Sequence, residues 1–536
     1  MKRWLTFFDG NTTVEESADK TSARFAAGLS TMTPAAVQVA LQSVDDALKT
    51  RGFASAMSQM QELQEAVSDD YSIAFAAAQL ALRIEQPGWA KKTLEDLSKR
   101  TPPTWQAGVA VVDMMRASAM PVEARTLLHS LREDNPDEAV LDARAGDLAL
   151  AVGNVEDARE LYGLAQKADP TISSVYLFFS RDPESDPQTW LDTIRQDKGE
   201  LTKIQHANLK VAEGRCLDRL DQHAKAFEAF SQARELMRDP RQARALDRQI
   251  EMAPGYVASF PSTQMRDMAS RAHHSDKPIF LVGMPRTGSL LASQVLSAHP
   301  DVHGLGERRI LSNLVSARLA AAYAQSSDSE NVTTPTTLDA LDGSSDTLEK
   351  TAVDYLQRAL ELGSGDALRT VDKMPFNFSL VGAAHVLFPA GHIVHMARTP
   401  LDTAWSMFTA AFSLPNLLLN LHDTGRLYAL HDYLMAQWKR RCGDDAIIDL
   451  SYESLTSDFS TTVDSLLKRL GLNPSDDCAN FFASGNEVLT SSDLQVREPV
   501  HQRSIGRSEP YVAFLKPFSD AYEKTAAALQ EQAPAA

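Results

Sequence analysis

Pro278-Ile-Phe-Leu-Val-Gly-Met-Pro-Arg-Thr-Gly-Ser-Leu-Leu291 runs into a helical stretch and then into His299-Pro-Asp-Val-His-Gly-Leu-Gly-Glu307. The apolar run Ile279–Val282 suits a central parallel strand, Gly283 and Gly288 permit a tight turn, and Leu290, Leu291 and Leu296 open an amphipathic helix. Backbone amides at that helix N-terminus would face an anion. A loop that holds a nucleotide triphosphate ends in Gly-Lys-Ser/Thr, whereas Gly288 is followed directly by Ser289 and the one cation in the turn is Arg286. The missing lysine favours a phosphosulfate over ATP with magnesium.

Downstream, strand-like runs at Ile393–Met396 and Ile447–Leu450 alternate with helical ones, the signature of a parallel sheet with crossover helices. Two of the strand ends carry polar strings. Val371-Asp-Lys-Met-Pro-Phe-Asn377 puts Lys373 at a strand end before Pro375, and His395-Met-Ala-Arg-Thr-Pro-Leu-Asp-Thr-Ala-Trp-Ser406 puts Arg398 at another. Ser406 follows Arg398 by eight residues, about two helical turns, so a strand tip and a helix face could reach one phosphate. Taken alone, a lysine beside an aspartate is a surface salt bridge and an arginine eight before a serine is common. Their place at successive strand ends is what makes them specific.

The first half is written differently. Thr101-Pro102, Asn135-Pro136 and Asp169-Pro170 recur every thirty-four residues, each closing a helix-turn-helix unit. Gly146, Ala158, Tyr162 and Ala165 occupy the small, small, aromatic and small positions at which paired helices touch; Ala90 with Leu94, Ala124 with Leu128, and Gly214, Ala226, Phe230 and Ala233 repeat the pattern. Ala56 and Met60 extend it weakly. Pro183, Asp186 and Pro187 interrupt the register within 171–205, and no spacing in this half suggests chemistry. The period resembles a tetratricopeptide (TPR) repeat. From Pro254 to Asp276 the repeat grammar stops, and the stretch Ser326–Asp346, rich in Ser, Thr and Asp, reads as a mobile surface loop.

Composition bounds the alternatives. With 536 residues, 43% apolar and 23% charged, the chain is ample for two globular domains, and a net charge of −18 argues against general affinity for nucleic acid. Cys216, Cys442 and Cys478 have no metal-ligand spacing and are odd in number, so a disulfide framework is not expected and a reducing compartment is. Asp9 breaks the apolar run after Lys2 and Arg3 before it reaches signal-peptide length, and no segment approaches the roughly 20 apolar residues of a membrane span. The expected setting is cytoplasmic.

The Pro285-Arg-Thr-Gly-Ser289 turn, with Gly-Met-Pro-Arg-x-Gly and His299-Pro300 around it, resembles the 5′-phosphosulfate loop of the sulfotransferase family, in its repeat-containing bacterial branch similar to tyrosylprotein sulfotransferases. The likeness covers roughly residues 277–520. Many members read Pro-Arg-Ser-Gly-Thr-Thr here; Thr287 and Ser289 keep hydroxyls, and Leu290 replaces the final threonine. The resemblance implies that Arg286, Thr287, Gly288, Ser289 and Leu290 cradle the 5′-phosphosulfate, and that Arg398 and Ser406 hold the 3′-phosphate. It also implies Glu307 as general base, twenty-one residues after Arg286, ahead of His303, and Lys373 near the bridging oxygen of the donor. Tyr452 and Glu453 match a step that is mainly structural. The segment Ser491–Tyr511 is similar to the family's C-terminal loop over the adenosine phosphates, with Ser492 and Arg507 as its contacts, although Ser508 stands where the branch often has tryptophan.

The resulting expectation is an α plus α/β chain: an N-terminal extension over 1–33, a TPR-like helical solenoid over 34–250, a linker over 251–275, a P-loop-like three-layer sulfotransferase domain with a parallel sheet over 276–525, and a tail over 526–536. The implied co-substrate is 3′-phosphoadenosine 5′-phosphosulfate (PAPS), leaving PAP, without metal. The acceptor hydroxyl could belong to a protein tyrosine, a saccharide, a lipid or a small phenol, and the solenoid favours a docked peptide or protein; self-association is its other use. The rivals are a nucleotide-dependent kinase of related topology and a catalytically silent TPR scaffold.

Overall fold

The parallel sheet is built on the mostly apolar runs of its first, fourth and fifth strands, with two more polar strands completing one side. In the computed structural model, which describes residues 34–50, 52–326, 335–342, 345–411, 419–483 and 498–533, the strands are β1 (Pro278–Gly283), β2 (Val302–Gly306), β3 (Arg369–Lys373), β4 (His392–Ala397) and β5 (Ile447–Ser451). All adjacent pairs are parallel, in the order β2-β3-β1-β4-β5. β1 is buried along its whole length, as a strand with covered faces and two neighbours must be. On one face Ile279, Leu281, Val371, Val394, Met396, Ile448 and Leu450 pack with Val295 and Leu296 of the helix Ser289–Ser297 and with Leu466 and Leu467 of the helix Phe459–Arg469. On the other, Phe280 meets Phe388, and His395 meets His431 of the long helix Leu421–Cys442.

Four expectations need correction. β2 was not foreseen, because Val-His-Gly-Leu-Gly carries two glycines and lies at the sheet edge, where no second neighbour demands an apolar run. The stretch expected as a linker is largely helical: Pro254 lies inside the helix Pro240–Ala258, Tyr256 donates to the carbonyl of Ser379 at 2.9 Å, and Tyr256 and Phe260 stack edge-on against Trp438. Within the stretch expected as a surface loop, Thr337–Asp342 is a helix whose Leu338 and Leu341 are fully buried. The last helix, Lys516–Glu531, also runs past residue 525.

The first half consists of helical hairpins. Helices Tyr71–Arg83, Trp105–Ala117 and Ala139–Ala151 begin thirty-four residues apart, as do their partners Pro87–Ser98, Pro121–Asp134 and Val155–Ala168. The repeat works through size. A Cβ on Gly146 would stand 2.9 Å from the Tyr162 ring, and one on Gly214 2.8 Å from the Phe230 ring, so each glycine makes room for the aromatic residue of the partner helix. Ala90, Ala124, Ala158 and Ala226 are fully buried at the matching positions. The interrupted register is real: two short helices, Ser173–Phe179 and Pro187–Arg195, pack on the helix Lys203–Arg219.

The chain divides into two compact bodies that do not follow sequence order. Of the described residues, one comprises those from Pro34 to Asn135 with 271–273 and those within 308–366. Within it Glu85 accepts from the amide of Arg309 at 2.9 Å, and Glu361 from that of Gly88 at 2.9 Å. The other body comprises 136–270, 274–307 and 367–536, and holds all five strands. The three cysteines are free thiols, and burial raises each above its ordinary pKa. Among the described residues no helix is long and apolar enough to cross a membrane.

Candidate active site

Strand order decides which loops meet. The chain leaves β1 for the β3–β2 side and returns to the β4–β5 side, so the carboxyl ends of β1 and β4 form the crevice at which open α/β sheets bind ligands. The loop after β1 is tight and partly strained. Arg286 sits at φ 71, a left-handed conformation seldom taken by a side chain of this size, and Gly288 at φ 95 is the N-cap of the helix Ser289–Ser297. A Cβ on Gly288 would collide with the ring of Tyr452. No side chain caps that helix, so the amides of its first turn, from Ser289 and Leu290 onward, are left for an anion or solvent.

The loop's side chains divide between structure and ligand. The Thr287 hydroxyl is buried and donates to the carbonyl of Met284 at 2.7 Å, so it closes the turn itself. That corrects the expectation of a hydroxyl directed at the donor. Leu290 packs against the sheet core, and its contribution to a cradle is its amide. Arg286 Nε donates to Ser406 Oγ at 3.2 Å, joining the first loop to the helix Pro400–Phe408 after β4.

Arg398 completes this cluster. Its Nη1 donates to the carbonyl of Arg286 at 3.2 Å and its Nη2 to that of Ser504, while Asp402 lies 3.7 Å from Nη2. The guanidinium also stands over the Tyr452 ring, 4.7 Å from its centroid, a contact worth about 2 kcal/mol when desolvated. Tyr428 donates to the carbonyl of Arg398 at 3.0 Å. Arg398 Nε is buried and has no hydrogen-bond partner, a donor that an anionic ligand group would satisfy. The residues present therefore fit a doubly phosphorylated ligand. Behind them, His395 pairs with Asp449 at 2.8 Å; this bond, aided by Lys439 against the cost of burial, holds the Asp449 carboxyl down at about 2.

The second cluster lies one strand over. Glu307 directly follows β2 and Lys373 ends β3; the register Gly306↔Asp372 sets them side by side, and Lys373 Nζ pairs with Glu307 Oε1. Lys373 is 3% exposed and Glu307 30%, so a buried ammonium has its counter-charge at the solvent side. Leu281 of β1 is in register with Lys373, which brings the pair beside the first loop. His303, the alternative base, lies earlier on β2 opposite Thr370.

The C-terminal segment is engaged in another way than expected. Arg507 pairs with Asp218 of the helix Lys203–Arg219 at 2.5 Å, a partner that no motif could have indicated. The backbone around it does reach the cluster: Gly506 and Ser508 donate their amides to Asp402 at 2.8 and 2.9 Å. Ser492 lies outside the described residues. Asp402, Tyr428 and Tyr452 were missed as site members. Asp402 was findable, since it stands four residues after Arg398 at a helix start. Glu453 holds the Arg398 turn by accepting from the amide and hydroxyl of Thr399 at 2.9 and 2.8 Å; burial opposes, but these bonds keep its carboxyl below the usual range.

Residues 278–477, the stretch that contains β1 to β5, match the model of the Sulfotransferase family. An uncharacterized protein of Aquifex aeolicus (strain VF5) is 25% identical over 406 residues, 74% of this chain and 52% of its own length; the chain thus spans about half of that relative. Among solved structures, the sulfotransferase domain of the Synechococcus PCC 7002 olefin synthase aligns at 17% identity over 47% of this chain and 96% of its own, with a TM-score of 0.33. The sulfotransferase STF9 of Mycobacterium avium aligns at 14% identity over 62% and 95%, with a TM-score of 0.27. Among the described residues no group of His, Cys, Asp and Glu could hold a metal ion.

Proposed function

We propose that the chain is a cytoplasmic sulfotransferase that moves a sulfuryl group from PAPS to an acceptor hydroxyl. The observation that carries this reading is the joining of Arg286, Ser406 and Arg398 at the carboxyl ends of β1 and β4, next to the Glu307–Lys373 pair. Arg286 and the amides of Ser289 and Leu290 would hold the 5′-phosphosulfate, and Arg398 Nε and Ser406 the 3′-phosphate. Glu307 takes the proton of the acceptor hydroxyl as its oxygen bonds to sulfur. The sulfur–oxygen bond to the 5′-phosphate breaks, the electron pair stays on that oxygen, and PAP leaves. Lys373 meets the charge that builds on the departing oxygen, an interaction stronger in the transition state than before it.

The thirty-four-residue hairpins support a TPR-like reading of the first half, with a peptide or protein acceptor docked on it. Incubation with sulfur-labelled PAPS and host lysate, followed by separation of protein, saccharide and small-molecule fractions, identifies the acceptor class. The donor assignment is tested by thermal unfolding: PAP should raise Tm and ATP with magnesium should not. Stabilisation by ATP alone would instead select a kinase.

A further inference from the structure

The helix Pro400–Phe408, which carries Ser406, is held at both ends by groups from outside the sheet. At its start, buried Asp402 takes the amides of Gly506 and Ser508. At its end, the helix runs out of following amides: the Ala410 amide still reaches the carbonyl of Met407 at 3.3 Å, and the last carbonyls take further donors from elsewhere. They find two arginines of the hairpin formed by helices Lys203–Arg219 and His223–Leu236. Arg234 donates to the carbonyls of Met407 at 2.7 Å, Phe408 at 2.9 Å and Ala410 at 3.0 Å. Arg215 donates to that of Thr409 at 3.3 Å.

Arg234 is 4% exposed, so this is a desolvated cation set on the negative end of a helix dipole. Aromatic packing fixes the same joint: Phe230 meets Trp405 edge-on at 5.5 Å, and Phe227 stacks on Phe408 at 5.5 Å. A charge buried against three carbonyls tolerates little displacement. Sliding or rotating the helix would strand either the guanidinium or the carbonyls.

We propose that Arg234, seconded by Arg215, is a positioning residue for recognition of the donor's 3′-phosphate, acting through the placement of Ser406 against Arg286. The inference rests on the sulfotransferase reading above. It makes the hairpin part of the donor site, in the half of the chain whose sequence suggested no chemistry. A 5′-monophosphate presents nothing to Ser406, so the effect is one of selectivity.

The test compares the full chain with its Arg234→Met, Ser406→Ala and doubly substituted variants, measuring by calorimetry the binding of PAP and of adenosine 5′-monophosphate. Arg234→Met should lower the PAP-to-monophosphate affinity ratio about tenfold. Monophosphate binding, which feels Ser406 only through Arg286, should fall clearly less than PAP binding, and the ratio in the double variant should fall no further than in Ser406→Ala alone. An unchanged ratio in Arg234→Met, or losses that multiply in the double variant, would overturn the inference. Arg215→Met, at a more accessible position, should lower the ratio two- to fivefold and serves if Arg234→Met does not fold; no change there counts equally against it. Leu217→Ala, a core truncation in the same hairpin, should lower Tm and leave the ratio alone. Failure of the wild-type protein to prefer PAP would sink the donor assignment itself, a separate result.

Discussion

The two polar clusters at the carboxyl edge of the sheet are built on opposite principles. Around Arg398, one guanidinium is enclosed by two carbonyls and an aromatic face drawn from three distant segments, and by the carboxylate of Asp402 four residues on. Around Lys373, a single carboxylate answers a single ammonium, and that carboxylate is partly open to solvent. Enclosure suits a group that must hold a ligand without moving. A lone pair with one exposed partner suits groups that must exchange a proton and meet a new charge.

The largest expected effect tests the simpler cluster. Glu307→Gln should lower kcat by about 10²–10⁴ and Lys373→Met by about 10²–10³, both leaving PAP affinity near the wild-type value in calorimetry. Loss of affinity with kcat retained would reverse the roles of the two clusters. Next, Arg398→Met should weaken PAP binding by about 10- to 100-fold, since it removes charge-assisted bonds. It should also lower the stability of the ligand-free protein in urea, because the carbonyls of Arg286 and Ser504 lose their donor.

The enclosure itself can be probed with glycines. Gly306, beside the open pair, has φ 77 and no atom near a hypothetical Cβ, so Gly306→Ala should cost about 1–2 kcal/mol of backbone strain. Gly288→Ala adds the collision with Tyr452 and should cost about 2–4 kcal/mol in denaturant titrations. Equal costs would mean that the Arg398 cluster is looser than its contacts indicate. The smallest effect concerns Asp449, whose carboxyl falls from 3.8 to about 2 on folding. Its contribution is complete above about pH 4 and disappears as pH falls toward 2, so Asp449→Asn should flatten the acid limb of the stability curve over that interval.

Legibility in the sequence followed burial. β1, β4 and β5 announced themselves because strands packed under helices carry mostly apolar runs, broken only at His395 and Asp449, and Lys373 and Arg398 were placed at strand ends for the same reason. The meeting of Arg286 with Ser406 could be read only by likeness, because strand order is set by crossovers that leave no local mark. Thr287 and Arg507 were misread for a common physical reason. A hydroxyl or guanidinium beside a phosphate motif can satisfy itself on a carbonyl or a carboxylate that is near only after folding. Arg234 left no trace at all, since its value lies in carbonyls 173 or more residues away.

The reach of Arg398 toward the carbonyl of Ser504 has a consequence for biosynthesis. Strands, loops and hairpins upstream can form as the polypeptide emerges, yet the enclosure of that guanidinium waits for a stretch made after all five strands. A nascent chain halted short of this point would own a folded sheet and an incomplete enclosure of Arg398, so the cluster closes only once that stretch has been made.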